Sequence, residues 1–260
     1  MIVIETRRGP FRVADVYYAR PGEAQVLCRN LALNQILHLR QTPELLAVGP
    51  FLARYRPWQA LHLDLSCDLD DLFGAMDRTC RYQVRKADRI RDRIQIRRND
   101  AAACRDFLAL HNDLAALKKH TEVLSEHRFE TTRPFTDVLV AYFDGRPVCS
   151  HVMIRDETLR RVGLIWSAST RLNGDDAPGF VSSLNRWLHW YEMCLYKSED
   201  MKAYDFGNAG TDTASQAAVT KFKLSFGGTC VIEHDYIVGR ITGRLALRLL
   251  SAIRRVRLAE

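Results

Sequence analysis

Lys221 and Lys223 stand between apolar residues in the stretch Ala217 to Gly228 (AAVTKFKLSFGG), and upstream of them a short apolar run, Ala203 to Phe206, encloses Asp205 and stops at Gly207. A strand that ends in glycine, passes through small polar residues (Asn208 to Ser215) and enters a helix is a common place to build a site, because backbone N–H groups are exposed there. A carboxylate and an ammonium set among apolar neighbours are tolerated when they are paired or used, which singles out Asp205 and Lys223. The competing reading is a structural strand-to-helix turn with a surface lysine. A second concentration of chemistry lies at Arg78, Arg81, Tyr82, Arg85 and Arg89, which share one side of a helical pattern, with Lys86 nearby. Guanidinium groups suit phosphate because their fork of donors matches paired oxygens. A solvated basic face is the alternative there.

The chain has 260 residues, 47% hydrophobic and 27% charged, with 38 Lys and Arg against 31 Asp and Glu. That is enough for one large domain or two small ones with a full core, and the net charge of +7 favours polyanionic partners. No stretch approaches the ~18 apolar residues needed to cross a bilayer, and the N-terminus lacks a basic-then-apolar export pattern, so a cytoplasmic protein is expected. The seven cysteines are scattered and never spaced as C-x-x-C, and the histidines form no ligand-spaced cluster, which argues against a disulfide framework and a metal site.

The elements that must position these residues follow from hydrophobic period. A hairpin is expected at Ile2–Glu5 and Arg12–Tyr18, a helix over 23–38, a short helix from Pro43 to Tyr55, and a strand from Trp58 to Leu65. Asp68 caps a long amphipathic helix over 69–91, followed by a strand at 94–98 and a helix over 101–118; the polar segment from Lys118 to Arg133, which holds His120 and His127, reads as a loop. Strands at Thr136–Phe143, Val148–Ile154 and Arg161–Ser169 turn at Asp144-Gly145 and near Glu157-Thr158. A helix starts at Pro178 and runs to about Lys197, and a strand is expected at Cys230–Val238. The last 20 residues form an amphipathic helix with a basic stripe, docked on the domain or lying on anionic membrane. Three regions result: 1–65, 66–240 and 241–260.

Tyr204-Asp205-Phe206-Gly207 followed by Phe222-Lys223-x-x-Phe226-Gly227-Gly228 resembles the C-terminal signature of the FemAB-like branch of the GNAT acyltransferase superfamily, and Arg81 to Ala87 (RYQVRKA) resembles the segment that opens its transferase domain. The resemblance covers roughly residues 66–238. It implies an α/β (α+β) fold with a GNAT-like mixed, mostly antiparallel central sheet flanked by helices, in which two strands splay so that a backbone N–H can bind a donor carbonyl. It also implies direct acyl or aminoacyl transfer to an amine, typically on a cell-envelope polysaccharide or peptidoglycan precursor. In that reading Lys223 is the electrostatic group at the reacting carbonyl and Asp205 positions it or helps deprotonate the acceptor. His151, the histidine nearest the implied site, is a candidate base. Tyr82, Trp166, Ser167, Tyr204 and Asn208 line the groove, and Arg85 and Lys86 hold phosphate on donor or acceptor. The expected partners are a phosphorylated acyl donor and an amine-bearing sugar or peptide, with peripheral contact to anionic membrane through the C-terminal helix. The family's glycine-rich pyrophosphate loop has no match: Arg171 to Gly179 (RLNGDDAPG) is acidic where that loop belongs, which weakens acyl-CoA as donor and favours aminoacyl-tRNA or an acyl carrier protein. Two other readings stand beside this one, a non-catalytic polyanion (nucleic-acid) binding module and a degenerate acyltransferase scaffold.

Overall fold

The computed structural model describes residues 1–118, 123–172, 178–210 and 213–240. The expected C-terminal helix, His120 and most of the acidic loop after Arg171 lie outside them. The chain divides into two compact units, Met1–Gln59 with the chain from Ile232 onward, and Ala60–Val231.

In the first unit, β1 (Ile2–Arg8) and β2 (Phe11–Tyr17) form the expected hairpin, paired from Ile2↔Tyr17 to Arg8↔Phe11, with Gly9 in the left-handed region at φ 59°. Helix α1 (Pro21–Arg29) opens on Pro21. The helix expected over 23–38 stops there. Ile36, Leu37 and Leu39 belong instead to β3 (Gln35–Thr42), which pairs parallel to β2. Both faces of this strand are buried, so its apolar residues run together and mimic a helical period. The helix expected over Pro43–Tyr55 is also absent. Gly49-Pro50 allows one 3₁₀ turn, and the chain then extends as β4 (Leu52–Asp64), whose first half belongs to this unit. Val16, Leu37, Leu39, Tyr236 and Val238 make the core of the first unit beneath α1.

The second unit begins with α2 (Leu69–Ala75) and α3 (Arg78–Asp88), where the sequence predicts one helix. Met76 is extended, and the Asp77 carboxylate accepts from the Cys80 N–H at 2.6 Å, starting a new helix. Arg81 donates to the carbonyls of Gly74 and Met76, so it closes the end of α2 rather than joining a ligand-binding face. Next come β5 (Ile94–Arg98), α4 (Ala101–Leu117) and α5 (Glu126–Thr132), the last capped by Ser125 within a segment expected to be loop. Strands β6 (Thr136–Phe143), β7 (Arg146–Asp156) and β8 (Arg161–Ser169), helix α6 (Pro178–Ser198), strand β9 (Ala203–Asn208), helix α7 (Ala214–Leu224) and strand β10 (Thr229–Gly239) complete the order.

The sheet of the second unit runs β4-β9-β8-β7-β6-β5, antiparallel throughout except for β8 against β9. It is the mixed, mostly antiparallel sheet flanked by helices that the sequence implies. One face packs on α3 and α6 through Leu63, Val162, Leu184, Leu188, Tyr196 and Phe226, and the other packs on α4 and α5 through Phe107, Phe129, Val138, Val140 and Val152. Burial of each such side chain contributes about 1.5–3 kcal/mol. The turn after α7 is fixed by backbone contact. Gly227 and Gly228 have φ 82° and 91°, and a Cβ on Gly228 would stand 2.6 Å from the His62 carbonyl oxygen. Only glycine fits both the dihedral and the space. Gly228→Ala is therefore expected to lower the unfolding free energy by about 2 kcal/mol or more. Gly9→Ala, strained but with nothing within 4 Å of its Cβ, should cost about 1 kcal/mol. Urea denaturation of both variants measures the difference.

Candidate active site

β8 and β9 pair over only three residues, Arg161↔Ala203 to Gly163↔Asp205, although β8 continues to Ser169 and β9 to Asn208. No pair is made beyond that point, although the Leu164 carbonyl oxygen still lies 3.4 Å from where a Cβ on Gly207 would stand. β7 and β8 carry a bulge between the pairs Val152↔Trp166 and Met153↔Leu164, with Ile165 as the extra residue. Gly207 turns the end of β9 at φ 71°, and Thr213 caps α7 in a box with Gln216. The Lys223 ammonium returns from α7 to donate to the carbonyl of Asn208 at 2.8 Å. Burial pushes the Lys223 pKa down to about 8, with Asp205 opposing the shift.

The other candidates do not all gather around this lysine. Asp205 is fully buried: Arg161 donates to one carboxylate oxygen at 2.7 Å and the Gly207 N–H to the other at 2.6 Å, with the His62 Nε2 at 3.6 Å. It anchors the strand and has no face open to an acceptor amine. His151 is likewise enclosed, with Nδ1 2.8 Å from Glu192 and Nε2 3.0 Å from Asn185, so it is a core residue and not a base in contact with substrate. Tyr204 is fully buried with its hydroxyl donating to Glu192 at 2.6 Å, which removes it from the groove lining. Trp166 stacks on Phe107 with Arg128 over its ring, on the α4–α5 side; Ser167, the next residue, is exposed on the opposite face. Asn208 holds Lys223 through its carbonyl and turns its own side chain to the Gly210 N–H.

Tyr82, Arg85 and Lys86 are exposed on α3, with the Arg85 guanidinium 5.1 Å from the centre of the Phe73 ring. Among the described residues no carboxylate pairs with Arg78, Arg85, Lys86 or Arg89. Arg186 on α6 joins this uncompensated positive charge, and nothing in the sequence marks it. Its guanidinium lies 4.5 Å over the ring of Phe222, the residue before Lys223, and donates to Ser182 at 2.7 Å, while its Nε is buried without a hydrogen-bond partner. Burial lowers its pKa and nearby Arg171 lowers it further, against Cys80 and Asp77. A half-buried guanidinium with no carboxylate in hydrogen-bond contact among the described residues, and only Asp77 acting on it from further off, is costly unless an anion completes it. In the sequence Arg186 is only an arginine about two turns into a helix of mixed apolar and polar residues.

No protein-family model and no curated protein sequence matches the chain. Solved structures do. FemX superposes with a TM-score of 0.64 at 10% identity, covering 94% of this chain and 85% of that one. The C-terminal domain described as that of a lysylphosphatidylglycerol synthetase from Agrobacterium fabrum gives 0.60 at 13%, covering 95% and 83%. L-PGS from Bacillus licheniformis gives 0.57 at 13%, covering 92% and 80%. The chain has a FemAB-like, GNAT-type fold.

In this FemAB-like arrangement the lysine gives a pH-dependent stability of defined sign. Its pKa is 10.5 when unperturbed and about 8 in the fold, so between these values the unfolded chain binds more protons. The cost of burying the ammonium is complete below pH about 8, shrinks as pH rises, and has vanished above 10.5. Lys223→Met is expected to be more stable than the parent at pH 7, and the gap should close between pH 8 and 10.5. Urea midpoints of both proteins across that window measure it.

Proposed function

We propose that this protein transfers an acyl or aminoacyl group directly from a phosphate-bearing donor to an amine on a cell-envelope sugar or peptide precursor. The observation that carries the reading is the half-buried Lys223 ammonium held on the carbonyl of Asn208 at the end of β9, beyond the last β8–β9 pair. An acyl carbonyl placed there meets a fixed positive charge. As the acceptor nitrogen bonds to the carbonyl carbon, the C=O electron pair moves to oxygen, and the ammonium stabilises that charge without reorganising. Collapse of the tetrahedral species restores the carbonyl and expels the thiol or hydroxyl of the donor. A lysine titrating near 8 is mostly charged at neutral pH and is acidic enough to give a proton to that leaving group. The acceptor nitrogen loses its own proton to solvent or to the departing group, since neither Asp205 nor His151 is open to it.

The uncompensated cations of α3, together with Arg186, suit a donor rich in phosphate, such as aminoacyl-tRNA, an acyl carrier protein or an acyl-CoA. One structural neighbour agrees with the aminoacyl form of the reading, because it is described as the C-terminal domain of a lysylphosphatidylglycerol synthetase. No helix among the described residues is long and apolar enough to cross a membrane, so contact with a membrane-bound acceptor would be peripheral.

Lys223→Met tests the proposal once a donor screen has given a turnover assay. Removing one preorganised donor to an oxyanion typically costs ~3–4 kcal/mol, a factor of roughly 100 to 1,000 in rate. The variant should keep its fold and bind donor while losing that much kcat, and Lys221→Met should change little. Incubation with donor alone should add no mass to the protein. Full activity in Lys223→Met would end the assignment, a donor-dependent adduct would end direct transfer, and salt-sensitive polyanion binding with no turnover on any donor would favour the binding-module reading.

A further inference from the structure

Four polar side chains of the second unit are enclosed behind the lysine: His151 on β7, His189 and Glu192 on α6, and Tyr204 on β9, each at most 1% exposed. Tyr204 donates to Glu192 Oε2 at 2.6 Å, and His189 Nδ1 lies 2.7 Å from the same hydroxyl oxygen. His151 Nδ1 meets the other oxygen, Glu192 Oε1, at 2.8 Å. The two imidazoles stack with centroids 4.0 Å apart and planes 27° from parallel. Near-parallel rings send their nitrogen lone pairs side by side rather than to one point, which does not suit a metal between them.

The direction of each bond follows from the chemistry. Burial and Glu192 hold the Tyr204 hydroxyl far above its usual pKa, so it stays protonated and its one hydrogen goes to the carboxylate. Its oxygen must then accept from His189 Nδ1–H. Burial and the neighbouring His151 push the His189 pKa down to about 3, and burial is outweighed at Glu192, whose pKa falls to about 2 through His151 and the hydrogen bonds of both imidazoles. The result is a neutral Nδ1–H imidazole interposed by Tyr204 from a carboxylate whose nearer oxygen is only 3.6 Å away. That imidazole is ringed by Phe206 of β9 and by Phe222 and Phe226, which flank Lys223, at 4.8, 5.7 and 5.3 Å between ring centres.

We propose that the Glu192–Tyr204–His189 chain is a positioning device for Lys223: it pins an uncharged imidazole under the end of α7 and so keeps a second positive charge away from the lysine. The inference rests on the reading of Lys223 as the charged group of the reaction, but its test needs no turnover. Facing His189 are Lys223 from α7, His151 from β7, Glu192 from α6 and Tyr204 from β9; the charged group acting on Lys223 itself is Asp205. Without the Tyr204 hydroxyl, His189 closes on Glu192 as a charged pair, and the new imidazolium repels the ammonium.

The experiment is NMR titration of Lys223, as the dimethylated lysine, and of His189, by its ring nitrogens, in the full chain. In the parent protein His189 should remain the neutral Nδ1–H tautomer from pH 5 to 9; an imidazolium there at neutral pH would overturn the proposal. In Tyr204→Phe the Lys223 midpoint should fall by about one pH unit or more. Adding Glu192→Gln to that variant removes the anion that would charge His189, and the midpoint should return toward the parent value. A lower melting temperature with an unmoved Lys223 midpoint in Tyr204→Phe would show that the cluster only holds the core together. These readouts are independent of whether Lys223→Met abolishes transfer, so failure here and failure of the functional reading are separate results.

Discussion

An ammonium removed from most of its water, with one backbone carbonyl as its hydrogen-bond partner among the described residues, is the constraint that organises the second unit. Such a group is unfavourable wherever the protein does not need it, since burial works against the charged form. Its geometry is maintained from two directions. The Phe-Gly-Gly turn after α7 is locked against Ala75 and the His62 carbonyl by contacts that admit no side chain. β9 is held by Asp205, whose two oxygens are taken by Arg161 and the Gly207 N–H. Tyr204, on the other face of the same strand, ties it to α6. A strand anchored on both faces and a helix pinned at its end leave the Asn208 carbonyl and the Lys223 side chain little freedom, which is what preorganisation of a charge demands.

The charges divide into two kinds. Arg161 and Glu192 meet partners inside the protein within hydrogen-bond distance, Asp205 for the first, His151 and Tyr204 for the second. Arg85, Lys86 and Arg186 have no carboxylate within hydrogen-bond distance among the described residues, although Arg186 donates to Ser182, and they collect around α3, the first half of α6 and the end of α7. Internal compensation marks groups that hold the fold, and its absence in a half-buried guanidinium marks one that awaits an anion. By that criterion Asp205 and His151, which look catalytic as residue types, are structural, and Arg186, which looks unremarkable on a helix, belongs to the site.

The sequence made the β9–α7 unit legible because its signals are local: an apolar run that stops at a glycine, small polar residues that lead into a helix, and a double glycine. The hairpin at Asp144-Gly145 and the span of α6 from Pro178 were legible for the same reason. What was missed depended on tertiary context. Ile36 and Leu37 sit in a strand buried on both faces, where alternation disappears. The break between α2 and α3 is made by Asp77, whose backbone N–H is drawn to the Ser225 carbonyl 148 positions later in the chain, beyond any local pattern. The depths of Tyr204 and His151 follow from helix docking that composition does not announce, whereas the splitting of Trp166 from Ser167 across the sheet is the two-residue alternation of any strand.

The central claim is that a positive charge at position 223, and not the lysine's packing, carries the transfer reaction. Chemical rescue of Lys223→Ala separates the two directly. With donor and acceptor saturating, ethylammonium added to the variant should restore transfer in a saturable manner, while the uncharged analogue propanol should not. Equal recovery with both, or a variant as active as the parent without either, would contradict the account.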